Sequence, residues 1–151
     1  MIRVICVGKL KEDYWKMAVQ EYLKRLSKYT KVELIEVPDE GLLEEKTALR
    51  KEKERIEKWI TEKDFLVTLE IEGKESSSVE FASKLDSWQM QFSSITFLIG
   101  GSYGLDPELK ARSNYALSFS KMTFPHQMFR VILLEQLYRS FKISHHESYH
   151  K

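Results

Sequence analysis

The hydrophobic pattern alternates between two periods along the chain. Ile2–Val7 is β-branched and apolar, interrupted only by Arg3 and stopped by Gly8, which predicts a buried strand. From Glu12 to Ser27 the period changes. Trp15, Ala18, Val19, Tyr22, Leu23 and Leu26 recur at helical spacing and predict an amphipathic helix. Val32–Val37 reads as a second strand ended by Pro38. Residues 42–62 predict a long, densely charged helix with a thin stripe of Leu49, Ile56, Trp59 and Ile60. A third strand, Phe65–Ile71, precedes Gly73. Ser77 with Glu80 three residues on is a capping-box pattern for a helix carrying Phe81, Leu85 and Trp88.

Ile95–Ile99 is a fourth strand. Asp106 as cap and Pro107 at the first position open a short helix, Ala116–Ser120 reads as a short fifth strand, and Pro125 opens a last helix with the stripe Phe129, Ile132, Leu133, Leu137 and Phe141. Strands alternating with helices predict an α/β fold, a mostly parallel sheet flanked by helices, as one domain over residues 1–151.

Composition adds bounds rather than a function. With 42% hydrophobic and 31% charged residues, the chain matches an ordinary globular protein rather than a disordered one. Its single cysteine, Cys6, lies in the first apolar run and reads as a buried, inert thiol, which fits a reducing compartment. No apolar run approaches the roughly 18 residues of a membrane span, and no apolar leader stands at the N-terminus, so a cytoplasmic protein is expected. Net charge is +1, but its distribution is uneven. Seven basic side chains against two acidic ones fall after residue 109, with all four histidines. That asymmetry points to a local phosphate or nucleic-acid face.

Three of the six glycines, Gly100, Gly101 and Gly104, follow the fourth strand. A dinucleotide fingerprint requires its glycines after the first strand with an acid downstream, and a phosphate-binding loop requires a closing Gly-Lys-Ser/Thr; neither is present. Two readings remain: a tight turn needing positive φ, or a ligand packed against bare backbone at the carboxyl ends of parallel strands. The downstream run L117-SFSKMTFPHQ-Q127 mixes small polar groups (Ser118, Ser120, Thr123) with apolar surface (Phe119, Met122, Phe124). Such a loop suits an adenine and a thioether held through backbone amides and carbonyls.

These blocks, with V7-GKLKEDYW-W15, E36-VPDE-E40, T68-LEIEGK-K74, L134-EQLYRSFKI-I143 and Y149-HK, resemble the RlmH (YbeA-like) family of SPOUT methyltransferases over the whole chain. The family usually places Gly and Pro in the tail leading to Tyr-His, where this chain has His146 and Ser148. The resemblance implies a SPOUT-type α/β-knot, with a C-terminal trefoil knot, and a homodimer. It also implies methylation of N3 of a pseudouridine in 23S rRNA, with S-adenosylmethionine as cofactor; the small chain with one modest basic segment makes the assembled ribosome the expected substrate. The cofactor residues it implies are Leu69, Gly100, Phe119, Ser120, Lys121, Met122, Thr123 and Phe124. Another RNA target, or a ribosome-binding module without catalysis, stands as the alternative.

Methylating an imide nitrogen requires removal of its proton or stabilisation of the resulting anion. Arg139 is the candidate for electrostatic stabilisation, with a phosphate contact as its other reading. His150, Tyr149 and His126 are the candidates for proton handling. The histidines of the tail, unaccompanied by a Cys or carboxylate cluster, do not form a metal set, and no metal is expected. Residues 144–151 lack an apolar stripe, so the tail is expected to contribute little to the core.

Overall fold

The computed structural model describes residues 1–151. Five strands form one sheet in the order β2-β1-β4-β3-β5: β1 (Ile2–Val7), β2 (Val32–Val37), β3 (Phe65–Glu75), β4 (Ile95–Ile99) and β5 (Tyr115–Ser118). All four pairings are parallel. The helices between and after them are α1 (Asp13–Leu26), α2 (Glu45–Glu57), α3 (Ser78–Gln91), α4 (Pro107–Arg112) and α5 (His126–Ser144).

Strand alternation divides the core in two. On one face Ile2, Val4, Cys6, Val67, Ile95, Phe97 and Ile99 meet side chains of α1, α3 and α5. On the other, Ile5, Val7, Leu66 and Leu98 meet Ile56 of α2 and Leu109 of α4. Covering both faces is what lets β1 and β4 be apolar apart from Arg3 and Thr96 instead of alternating. Cys6 is fully buried, and burial pushes its thiol up to about 12.

The local signals set several boundaries. Ser77 accepts from the Glu80 amide and its hydroxyl donates to the Glu80 carboxylate, closing the start of α3. Asp106 accepts from the Glu108 amide and caps α4, with Pro107 in the first turn. The charged helix is shorter than its sequence pattern predicts, and Trp59 of the expected stripe is 46% exposed. Glu52, on the same helix, is instead buried. Burial raises its carboxyl pKa above the ordinary range, and the Glu40 amide it accepts from pulls the other way.

The third strand does not end at Ile71 but runs to Glu75 through a bulge. Leu69 and Lys74 both register with Leu117 of β5, so residues 70–73 are extra to the ladder. A bulge redirects side chains locally. Here it puts Glu70, Ile71 and Glu72 into the wall of the cavity described next.

Candidate functional site

A cavity of about 560 Å³ opens at the carboxyl ends of β3, β4 and β5, the place where parallel α/β sheets take ligands. Its volume lies within the usual range for small-molecule sites. One wall is the glycine turn. The Gly104 amide donates to the Gly101 carbonyl at 3.0 Å, and the Tyr103 hydroxyl lies 3.2 Å and 3.1 Å from the carbonyls of Gly41 and Leu43. The turn is therefore fastened to the loop that follows β2.

Two glycines do different work there. A Cβ on Gly100 would stand 2.4 Å from the Gly104 carbonyl carbon and oxygen, so Gly100 is required by the turn folding onto itself. A side chain at Gly100 would collide with the chain's own backbone before it reached the cavity. Gly104 is the residue that offers bare backbone to the cavity. It lines the cavity at φ +78°, and a Cβ there would meet no atom within 4 Å.

The second wall is the loop between β5 and α5. Ser118, buried, aims its hydroxyl at the carbonyls of Ile71 (2.8 Å) and Ser120 (3.1 Å), tying the loop to the β3 bulge. The Met122 amide donates to the Ser120 hydroxyl at 3.0 Å. Phe129 of α5 packs edge-on against Phe119 (5.1 Å) and stacks with Phe124 (5.9 Å), giving the loop an aromatic backing.

Of the residues singled out from sequence, Leu69, Gly100, Phe119, Ser120, Met122, Thr123 and Phe124 line this cavity. So does His126, one of the proton-handling candidates. Lys121, Arg139, Tyr149 and His150 do not. Several lining residues carried no sequence signal: Glu70 and Glu72 come from the bulge, and Lys110 from the short helix α4.

Arg139, Tyr149 and His150 come together elsewhere, on α5 and the tail, around a residue the sequence reading overlooked. Glu135 accepts from Arg139 Nε (2.9 Å) and Nη2 (2.6 Å) and from the Tyr149 hydroxyl (3.0 Å). One turn earlier on the same face, Glu135 sits at i,i+4 from Arg139, a spacing that was legible but not used. Its carboxylate holds the Arg139 guanidinium above its ordinary pKa. Burial, and then the bond to Glu135, push the Tyr149 phenol up to about 12. In this arrangement the Tyr149 hydroxyl donates to Glu135.

Arg139 Nη1 lies 3.1 Å from His150 Nδ1. A guanidinium can only donate, so Nδ1 accepts and a neutral His150 carries its proton on Nε2. In this arrangement the free edge of His150 is an N–H donor, not a lone pair.

The tail is more fixed than its composition suggests. Glu147 and His146 amides donate to the Lys142 and Ile143 carbonyls (2.9 Å and 3.1 Å), a Schellman closure of α5 with His146 at φ 55° in the slot glycine usually fills. Glu147 then accepts from Tyr29 (2.7 Å) and pairs with Lys28 and Lys142. His145 packs edge-on against Tyr29 at 5.1 Å, and Tyr149 against Tyr138 at 5.0 Å.

The basic C-terminal segment is also less open than its charge count. Arg130 is 1% exposed, bonded to Glu36 (2.6 Å) and the Gly8 carbonyl (3.0 Å). Arg139 and Lys142 are matched by Glu135 and Glu147. Lys110, Arg112, Lys121 and Lys151 remain outside these pairs. No cluster of three or more His, Cys, Asp or Glu side chains is placed to hold a metal ion. No helix is long and apolar enough to cross a membrane.

Comparison with known proteins gives the arrangement a family. The model of a family described as predicted SPOUT methyltransferases matches residues 1–150. A probable methylase family protein from Haemophilus influenzae Rd KW20 superposes with a TM-score of 0.61 at 12% identity. That alignment covers 99% of this chain and 70% of the other. The SpoU methyltransferase AviRb from Streptomyces viridochromogenes, solved with AdoMet, superposes with a TM-score of 0.48 at 12% identity, over 92% of this chain and 57% of that one. The match over nearly every residue, on a parallel sheet with its cavity at the strand ends, decides the matter: this chain belongs to the SPOUT methyltransferase family.

Proposed function

We propose that the protein transfers a methyl group from S-adenosylmethionine to N3 of a pseudouridine in 23S rRNA, acting as a homodimer on the assembled ribosome. The cavity carries this reading. Seven of the eight cofactor residues expected from the resemblance line it, and Gly104 turns open backbone toward it. Apolar and aromatic side chains, Leu69, Ile99, Leu105, Phe119 and Phe129, form the surface an adenine needs. S-adenosylmethionine, when bound, supplies a methyl group on a sulfonium and leaves as the thioether. The residues present fit that ligand without a metal.

What the chain itself contributes is orientation and charge. The loop Phe119–Phe124 and the glycine turn hold the donor; the imide must approach its methyl in line. The N3 proton passes to solvent water before or as the N–C bond forms, and the negative charge that appears on the imide is met by donors. Arg139, fixed by Glu135, and the Nε2–H of His150, fixed by Arg139, are such donors. Within one chain neither lines the cavity, so in this reading the tail of one protomer serves the cavity of its partner. The unpaired cations Arg112, Lys121 and Lys151 then meet RNA phosphates.

Methyl-labelled S-adenosylmethionine offered with naked 23S rRNA, with large subunits and with whole ribosomes tests this reading. The expected result is label on N3 of one pseudouridine, strongest with whole ribosomes. Label at another RNA position would replace the target, and cofactor binding without transfer to any RNA would remove the activity.

A further inference from the structure

We propose that Lys110 is the cavity's anion-binding residue and that the anion is the α-carboxylate of the methyl donor. This rests on the S-adenosylmethionine reading and adds how the amino-acid end of that ligand is recognised. The cavity is graded. Ile99 and Leu105 at its base are each 4% exposed, whereas Glu72, Ser102 and Lys110 are exposed at its rim. A ligand with a flat, weakly polar end and a zwitterionic end matches that gradient.

Lys110 is the only lysine or arginine in the lining. It follows Leu109, which is 1% exposed and anchors α4 in the core, so the backbone that carries the ammonium is fixed. Lys110 enters none of the chain's ion pairs, and neither do Glu70 and Glu72. Glu70 has only the Thr68 hydroxyl, which donates to it at 2.6 Å. Opposite charges thus line one cavity without meeting each other. A carboxylate and an ammonium on a single carbon satisfy both, the carboxylate on Lys110 and the ammonium on the glutamates of the β3 bulge. The adenosyl end makes no use of this pair.

Calorimetry on the intact Lys110→Gln protein tests the assignment with three probes. S-adenosylmethionine and S-adenosylhomocysteine, which share the amino-acid end, should each bind about 3- to 10-fold more weakly, the range of a partly exposed charge-assisted contact. 5′-Methylthioadenosine, which keeps the nucleoside and thioether but lacks that end, should bind as it does to the unaltered protein. Thermal unfolding should not move, since Lys110 is exposed. Equal weakening of all three ligands, or none, would overturn the proposal. Unchanged cofactor affinity with a raised KM for RNA would also overturn it, assigning the anion to an RNA phosphate instead. If the unaltered protein binds none of the three, the cofactor reading itself falls and takes this one with it.

Discussion

The cavity and the C-terminal cluster are built from different materials. In the cavity, backbone and apolar side chains do most of the lining, and the charged groups, Glu70, Glu72 and Lys110, form no ion pair in the chain, Glu70 accepting only from the Thr68 hydroxyl. Around Glu135 the opposite holds. Arg139, Tyr149 and His150 are joined in one chain of hydrogen bonds, and Glu147 ties the adjoining tail to Tyr29, Lys28 and Lys142. Charges left without an ion pair are available to a ligand, while a satisfied cluster is preorganised and needs none to keep its shape. Substitutions in the two regions should therefore fail in different ways: cavity variants should lose ligand, and tail variants should lose rate.

The largest contrast comes from removing the tail. Deleting Tyr149–Lys151 should bring methylation to background while S-adenosylmethionine affinity, read by calorimetry, stays unchanged. The structure adds a stability cost. The deletion removes the Tyr149–Glu135 bond and the Tyr138 packing, worth about 1–2 kcal/mol together. Full activity of the truncated protein on ribosomes would dissolve the contrast, because the cluster would then have no part in the reaction.

Next in size are the glycines. Gly100→Val should destabilise the fold by about 1–3 kcal/mol or more and abolish cofactor binding, since its side chain meets the Gly104 backbone at 2.4 Å. Gly104→Ala should fold, at about 1–2 kcal/mol for its left-handed backbone, and weaken cofactor about 10-fold by placing a methyl in the cavity. Denaturant titration beside calorimetry separates the two. Unchanged affinity in folded Gly104→Ala would show that the ligand does not touch this turn.

His150 sharpens the comparison on the catalytic side. Its Nδ1 is engaged by Arg139, so under the proposed function it serves as a donor, and His150→Ala should slow methylation by about 10-fold, less than the loss of a general base. The rate should rise with pH as the imide ionises, and the slowing by His150→Ala should be read from kcat on whole ribosomes. A loss of about 100-fold or more in His150→Ala would restore histidine as the base.

How much of this was legible in the sequence follows from what kind of force built each part. The strands β1 and β4 coincide with their apolar runs because burial on both faces leaves no competing pattern, whereas the edge strand β2 is bounded locally, by Pro38. The capped starts of α3 and α4 were legible for the same local reason. The β3 bulge was not, because its extra residues are set by pairing with β5, which is 40 or more residues away in the chain. Gly73 suggested an end to the strand rather than an interruption within it. Most of the cavity was legible through its loop, yet Lys110, Glu70 and Glu72 were not, since nothing in a solvated charge's neighbours announces which surface it lines. Arg130 counted as basic surface in the sequence and proved to be a buried strut to Glu36 and Gly8. Counting charges cannot distinguish these.

The smallest effect tests whether the tail is held by charge. Glu147 accepts from Tyr29 and faces Lys142 and Lys28, and these contacts, the Tyr29 bond foremost, lower its carboxyl from 4.5 to about 2. A carboxyl depressed in the folded state stabilises that state above its unfolded pKa, and the contribution is lost as pH falls through the folded value. The window is therefore from about 4.5 down to about 2. Melting temperatures of the unaltered protein and of Glu147→Gln should differ at neutral pH, with the variant lower, and converge as pH falls through that window. Because the residue is solvent-accessible, added salt should shrink the neutral-pH difference. Cofactor affinity should be the same in both proteins, since Glu147 is not among the residues that line the cavity. A pH-independent difference would mean that the α5 closure at His146, rather than the charge on Glu147, holds the tail in place.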